Sequence, residues 1–212
     1  MKKVLFAFFF ILCFTMCNRE LTISQEGIII EDNMSLEFMV RDLYLNHPDA
    51  DYDFVESYVC ERLHINPGDF AFTKTNYQPS KVALDLVSQI TEVDPSTFER
   101  KEGYIECLQG FVDTQKEVLS DAEYDALGIG IIVAAEIIEL KFGSLDTRSF
   151  GEWCKRQWDN WGRCVAGTVG GAGLGAIAGA GLGAIEGAVV GAIPGAIIGG
   201  VSGGLSGAAS SC

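Results

Sequence analysis

Basic residues are scarce in this chain, and charge of any kind is nearly absent from its last quarter. The 212 residues include 15 Lys+Arg against 29 Asp+Glu, a formal net charge of −14. Residues 18–150 hold 26 of the acidic and 10 of the basic side chains, whereas beyond Arg163 only Glu186 is charged. Binding to nucleic-acid phosphates requires clustered Lys and Arg. The sequence therefore predicts no nucleic-acid partner.

Side-chain sets for catalysis are also lacking. His47 and His64 are the only histidines, and neither has a metal ligand at a suitable spacing. The string GVSGG at 200–204 matches a nucleophile elbow, but no strand precedes it and no acid or base partner is available. We therefore predict a non-enzymatic protein with no catalytic residues, no cofactor and no small-molecule substrate.

A calcium loop is incomplete in the segment that most resembles one. Asp49, Asp51 and Asp53 alternate as at the start of such a loop, but Phe54 replaces the required Gly and Cys60 replaces the closing Glu. We interpret the three aspartates as capping acids of a helix and predict no metal site.

The N-terminus predicts export. Lys2 and Lys3 precede an apolar run, 4–14, that is short for a membrane span and typical of a secretory signal peptide, here 1–17. An uncleaved anchor is the alternative. Cys17 ends the run and is a candidate lipidation site, although Met16 departs from the small residue that a lipoprotein signal prefers. Residues 18–33 are expected to be a linker.

The sequence contains no CxxC pair, which argues against zinc. In an exported protein the cysteines are candidates for disulfides. Cys60 and Cys107 fall on separate predicted helices that a bridge could join. Cys164 and Cys212 fall at the two open ends of the C-terminal segment and could also pair, and Cys154 with Cys212 is a competing pair. Spacing alone does not decide the connectivity.

Residues 34–143 predict an acidic helical domain. A helix is expected to start at Asp94 and run to about Leu119. The pattern SDAE at 120–123 is a capping box, and the helix it opens should end at Gly143. Its apolar part, 126–138, is too short to cross a bilayer. We expect it to be the buried central helix of this domain.

All tryptophans lie in one segment. Trp153, Trp158 and Trp161 stand beside basic residues in 144–164, just before the uncharged C-terminal tract. Amphipathic rings next to basic side chains favour the membrane–water interface, so this region is predicted to be a linker and an interfacial helix. Packing of the three rings against the acidic domain is the alternative.

Glycine recurs at every fourth position of the C-terminal tract. The unbroken series is Gly167, Gly171, Gly175, Gly179, Gly183, Gly187, Gly191, Gly195, Gly199, Gly203 and Gly207. Such spacing lets helix backbones approach closely in lipid, where bulky side chains give no hydrophobic drive. One helix over the tract would far exceed the bilayer, so 165–212 is predicted to be a membrane hairpin of helices 166–188 and 194–209, with the break between Glu186 and Pro194. A disordered Gly/Ala tail is the alternative.

The C-terminal sequence WGRCVAGTVGGAGLGAIAGAGLGA, followed by a turn and GAIIGGVSGGLSGAASSC, resembles glycine-zipper segments. It is similar to Gly/Ala-rich bacteriocin-like peptides, including those that end in cysteine, and also to glycine-zipper lipoproteins of bacterial envelopes. The first resemblance implies insertion into target membranes, which then leak. The second implies a structural role in the protein's own envelope. The resemblance covers under a third of the chain.

The sequence thus predicts an all-α, exported bacterial protein that is secreted or associated with the cell envelope or outer membrane. Its expected partners are a lipid membrane and, through the glycines, other copies of itself. We expect the hairpin to insert into and permeabilise membranes. The alternative is an envelope lipoprotein whose zipper is a structural anchor or oligomerisation element.

Overall fold

The computed structural model describes residues 22–24, 27–30, 34–65, 78–94, 97–98, 101–142, 150–184 and 189–211. The chain divides into two compact units, Met1–Ser35 and Leu36–Cys212. The predicted signal peptide, including Cys17, lies outside the described residues.

The first unit contains a small antiparallel sheet. Its strands are β1 (Thr22–Ser24), β2 (Gly27–Ile30) and β3 (Met34–Ser35), in the order β1-β2-β3. Thr22 pairs with Ile29, and Ile29 pairs on its other side with Ser35. The prediction of a plain linker at 18–33 is therefore wrong. The run of isoleucines in β2 has the β-branched character that favours strands.

In the second unit, the regular structure of the described residues is helical, which confirms the predicted all-α class. The helices are α1 (Leu36–Asn46), α2 (Tyr52–Arg62), α3 (Lys81–Thr91), α4 (Lys101–Asp113), α5 (Asp121–Phe142), α6 (Phe150–Ala184) and α7 (Val189–Ser211).

Side-chain caps explain where several helices begin. The Asp51 carboxylate accepts a hydrogen bond from the Phe54 N–H, so one of the three aspartates does cap a helix. Ser80 accepts from the Ala83 N–H at the start of α3. The capping box before α5 is confirmed, because the Ser120 hydroxyl accepts from the Glu123 N–H while the Glu123 carboxylate accepts from the Ser120 N–H.

Helix α5 is the centre of the core, as predicted. Leu127, Ile129, Val133 and Ile137 are fully buried. It packs against both α6 and α7 and also contacts α1 and α4. A helix that is apolar on nearly all sides needs neighbours on all sides.

Three predicted boundaries are wrong. The helix expected from Asp94 begins at Lys101 and ends at Asp113, followed by turns up to Leu119. Pro194 lies inside α7 rather than in the turn. It is the sixth residue of α7, so its missing N–H removes only a bond to the second residue, close to the helix start where proline is best tolerated.

The predicted division of the C-terminal half is also corrected. The tryptophan segment is continuous with the first glycine helix, because α6 runs without a break from Phe150 to Ala184, and its placement at a membrane interface stays a prediction. The acidic helices and the C-terminal hairpin, predicted as separate domains, belong to one compact unit. The reason is that α5 needs α6 and α7 to cover its apolar surface.

Candidate functional site: the glycine hairpin and its cover

The glycines of α6 and α7 meet face to face along an antiparallel seam. A Cβ atom added to Gly179 would lie 2.0 Å from the carbonyl oxygen of Gly195, and one added to Gly195 would lie 2.3 Å from that of Gly179. Real Cβ atoms essentially never approach so closely, so only glycine permits this backbone contact. The two helices are therefore held at backbone-to-backbone distance.

The same contact repeats every four residues. Added Cβ atoms would clash with the opposite carbonyl group in four pairs, which are Gly167–Gly207, Gly171–Gly203, Gly175–Gly199 and Gly179–Gly195. The structure thus brings eight of the eleven predicted glycines together. The packing of Gly183, Gly187 and Gly191 lies outside the described part. Each helix contributes a segment of about three turns, short enough for a four-residue repeat to keep facing one partner.

A second set of glycines joins the hairpin to α5, and the sequence analysis missed it. A Cβ atom at Gly130 would lie 2.9 Å from the Gly173 Cα and 3.0 Å from the Ala172 carbonyl oxygen. On α7, a Cβ at Gly204 would lie 2.8 Å from the Ile137 Cδ1. Gly200 and Gly204 are themselves four apart, beside the main series, which is the signal that could have indicated a second packing face.

The outer helices α1, α2 and α3, here called the cover, shield the other sides of these three helices. Helix α1 packs on α5, α2 on α7 and α3 on α6. Contact with α3 is close, since a Cβ at Gly173 would lie 3.3 Å from the Val87 Cγ2, and one at Gly170 would lie 3.3 Å from the Thr91 Cγ2. The hairpin is thereby enclosed within a folded unit.

A groove remains between the cover and the hairpin. It has a volume of about 710 Å³ and lies between the 48–52 segment, which joins α1 to α2, and the glycine seam around Gly179 and Gly199. The buried Ser202 Oγ on its hairpin wall has no hydrogen-bond partner within the described part. Missing contacts weaken an interface. The cover is therefore incompletely packed on α7 at this place.

Both hairpin helices contain a segment that could cross a membrane. Gly162–Gly181 and Ala192–Ser211 are each 20 residues long, with mean hydropathies of 1.4 and 1.3, and 61% of each window is buried. The criterion uses length and composition alone, and the buried helices of soluble proteins also meet it. Trp153, Trp158 and Trp161 lie on the first part of α6, and their side chains are outside the described part.

Carboxylates connect the cover helices to α5. Glu136 of α5 is 3% exposed, and its Oε1 accepts hydrogen bonds from Arg41 Nε at 3.0 Å and Arg41 Nη2 at 2.7 Å. Glu123, 4% exposed, accepts from the backbone N–H of Ser80 at 2.8 Å, which ties the start of α3 to the start of α5. Buried carboxylates require such partners.

A third carboxylate joins two cover helices to each other. Asp42 of α1 accepts a hydrogen bond from the Tyr58 hydroxyl of α2, and its Oδ2 lies 3.5 Å from Arg62 Nη2. The bond from Tyr58, followed by that from Asn46, lowers the pKa of Asp42. Burial, together with the bond to Asp42, raises the pKa of Tyr58 to about 12.

Glu123 experiences opposing influences. Burial disfavours its ionised form, but the hydrogen bonds from Ser80 and Ser120 outweigh that effect, so its pKa is lowered. Both Glu123 and Asp42 are thus held in the ionised state by their partners.

Cysteine positions correct one predicted bridge. Cys60 and Cys107 are free thiols. Cys60 lies on α2, which packs on α7, whereas Cys107 lies on α4, which packs on α5. Two cysteines can bond only when their Cα atoms come within about 7 Å.

Cys164 is buried and disulfide-bonded. The side chains of Cys154 and Cys212, its two predicted alternatives, lie outside the described part. A Cβ at Gly167, three residues after Cys164, would touch the Ser211 side chain. The pairing of Cys164 with Cys212 stays a prediction.

The described residues include no group of three or more His, Cys, Asp or Glu side chains that could hold a metal ion. The predicted absence of metal and cofactor remains a prediction. Comparison of the chain with protein-family models, with curated proteins and with solved structures found no match.

Proposed function

We propose that this chain is an exported bacterial membrane-active protein, bacteriocin-like in its C-terminal segment, whose glycine hairpin inserts into and permeabilises membranes. In the form described above, the acidic helices keep the hairpin folded and dissolved. In the membrane form, the hairpin crosses the bilayer and associates with further copies through its glycines and small residues.

The backbone contact between α6 and α7 carries this proposal. Helices in water associate best through bulky apolar side chains, whereas in lipid they depend on small residues that allow close approach. At the glycine pairs 171–203, 175–199 and 179–195 the two backbones meet directly, and the side chains beside them in this seam are small alanines. The seam therefore supplies an interface that keeps its packing when the surrounding water is replaced by hydrocarbon.

Length supports the same conclusion. A 20-residue helical segment spans about 30 Å, which is the thickness of the hydrocarbon core. The segments Gly162–Gly181 and Ala192–Ser211 each have this length. No charged side chain occurs in 164–184 or 189–211, so both helices of a hairpin can enter the hydrocarbon without a charge.

The cover explains how such a hairpin stays in solution. Residues 18–150 have an excess of 16 acidic over basic side chains. A net charge far from zero opposes association between copies. Because α5 and the cover pack on the hairpin, most of its apolar surface is hidden until insertion.

A second role fits the same hairpin. Cys17 ends the apolar N-terminal run, so lipid attached there would hold the chain at its own envelope. The hairpin packs as an internal element of a folded unit, as a structural oligomerisation element would. In this alternative the hairpin anchors or assembles the protein and does not permeabilise membranes.

Dye release from lipid vesicles tests the proposal. The chain without residues 1–17 is compared with Gly175→Ala and Gly179→Ala, whose new methyl groups would meet the opposite backbone. Gly110→Ala on α4 is the matched control, because nothing lies within 4 Å of its added Cβ. We expect leakage from the parent and the control, and reduced leakage from the two zipper variants.

If the hairpin is a structural anchor or oligomerisation element, the parent chain should release no dye. A parent chain that binds to vesicles, remains helical and releases no dye at either neutral or acid pH would exclude permeabilisation and favour the structural role. Circular dichroism of each variant separates a loss of membrane activity from a failure to fold.

A further inference from the structure

Three carboxylates hold the cover together and hold it on α5. Glu136 binds Arg41 of α1, Glu123 binds the Ser80 N–H at the start of α3, and Asp42 of α1 binds Tyr58 of α2. Glu123 and Glu136 are the only buried acidic side chains within the described part. Helix α5, which carries both, is the helix that packs on both hairpin helices.

These three links join the cover to α5 or join two cover helices, and the hairpin takes part in none of them. The parts of the hairpin helices at 164–184 and 189–211 have no charged side chain, so these parts offer no ion pair to the cover. The groove beside Gly179 and Gly199 also removes packing between the 48–52 segment and the seam. The hydrogen bonds named above that tie the cover to α5 are therefore all made by carboxylates.

From this arrangement we infer that Asp42, Glu123 and Glu136 form an acid-sensitive latch, which keeps the cover closed when ionised and releases the hairpin to a lipid surface when protonated. The inference rests on the proposed function, for which it supplies the regulation. Hydrogen bonds to an ionised carboxylate are about twice as strong as those to a neutral group. Protonation therefore weakens all three links.

The pH range follows from the carboxylates and their neighbours. Both Asp42 and Glu123 have lowered pKa values, so their stabilisation is present at neutral pH and is lost as the pH falls through those values. Carboxylates ordinarily titrate at about pH 4, so the links made by Asp42 and Glu123 open at or below that pH. Acidification also reduces the net negative charge of −14, which favours approach to an anionic membrane.

The groups facing each carboxylate are few. Two charged residues lie near Glu136. They are Arg41 of α1 and Glu139, which is on α5 together with Glu136. Asn46, His47, Tyr58 and Arg62 surround Asp42. Ser80 and Ser120 donate hydrogen bonds to Glu123.

The test measures dye release from phosphatidylcholine–phosphatidylglycerol vesicles between about pH 7 and about pH 3.5. The full chain is compared with Asp42→Asn, Glu123→Gln and Glu136→Gln, each of which removes one latch charge. Glu92→Gln is the matched control, because Glu92 is exposed at the end of α3. We expect the full chain to leak as the pH falls, and the latch variants to leak about tenfold faster than the control at about pH 7.

Arg41→Met is a second variant that leaves every carboxylate in place. It removes the α1 partner of Glu136 and should also raise leakage at neutral pH. Circular dichroism identifies any variant that fails to fold. The leakage of the folded variants then tests the latch. Equal leakage at neutral and acid pH, or equal leakage from latch and control variants, would overturn the latch while leaving membrane permeabilisation supported.

Amide hydrogen exchange without lipid separates the latch from the proposed function. After correction for the intrinsic effect of pH, exchange in α6 and α7 should increase at about pH 4 while α5 remains protected. Acid-induced opening without leakage at any pH would exclude permeabilisation and support the latch. Unchanged protection of the hairpin would exclude the latch.

Discussion

Gly175 and Gly199 face each other so closely that a Cβ atom added to either would lie 2.1 Å from the carbonyl oxygen of the other. The contact is reciprocal because the helices are antiparallel and each contributes a glycine at the same level. No side chain separates the two backbones at this point. The contact therefore makes strict demands on residue size.

Gly175→Ala should destabilise the protein. The new methyl group must push the Gly199 backbone away, and forcing extra atoms into a packed interface costs about 1–3 kcal/mol. Alanine regains up to about 1 kcal/mol of helix propensity, so the net loss falls short of the full clash. Urea unfolding monitored by circular dichroism measures the loss.

Gly110→Ala provides the comparison for that measurement. Space is open around Gly110, so the same substitution should be neutral or stabilising by up to about 1 kcal/mol. Equal effects at positions 110 and 175 would show that the seam does not determine stability.

Arg41→Met should destabilise the protein, and a second substitution should restore it. Arg41→Met removes the guanidinium that donates to the buried Glu136 carboxylate, which costs about 1–3 kcal/mol. Replacing both residues, as Arg41→Met with Glu136→Leu, removes the buried charge as well and should recover most of the loss. Thermal unfolding of both single variants and the double variant completes this double-mutant cycle. If the losses of stability in the single variants add up in the double variant, Arg41 and Glu136 do not interact directly.

Ser120→Ala should weaken the start of α5. The Ser120 hydroxyl accepts from the Glu123 N–H and lies 2.9 Å from Glu123 Oε2. Loss of an N-cap side chain costs about 1 kcal/mol. Ser88→Ala, at an exposed position on α3, should change the free energy of unfolding by less than half as much.

Asp125→Asn should act with the opposite sign to the latch residues. Burial, followed by repulsion from Asp121, raises the pKa of Asp125. A raised pKa means that the stabilising contribution is present at low pH and lost as the pH rises through the folded-state value. The variant should therefore be more stable than the parent at neutral pH, and the two should converge on acidification.

Unfolding at several pH values tests this sign. Asp49→Asn, at an exposed aspartate, is the matched control for the loss of one negative charge. A variant that is less stable than the parent at neutral pH would contradict the prediction.

Local patterns predicted the parts of the fold that depend on neighbours along the chain. The spacing of four predicted which glycines share a helix face, and the capping box at Ser120 and Glu123 predicted where α5 begins. Both are properties of single helical turns. The periodicity of residue types shows which face of a helix makes contacts, but it does not show which element packs on that face.

Contacts between distant residues were not predictable in this way. Arg41 and Glu136 are 95 positions apart, and nothing in either local sequence indicates the other. The close approach of Gly130 to Gly173 likewise depends on how α5 lies against the hairpin. Pro194 was expected to mark the start of the second hairpin helix because proline usually breaks helices, but α7 begins five residues before it, close enough for the proline to be tolerated.

The glycine seam also carries a degeneracy of register. Because both helices repeat every four residues, sliding one past the other by four positions would again bring glycine opposite glycine, for example Gly175 opposite Gly203. The seam by itself is therefore compatible with several registers of the two helices. Other features must therefore select the register. They are the short connection between Ala184 and Val189, the fit of Gly204 against Ile137, and the covalent bond of Cys164.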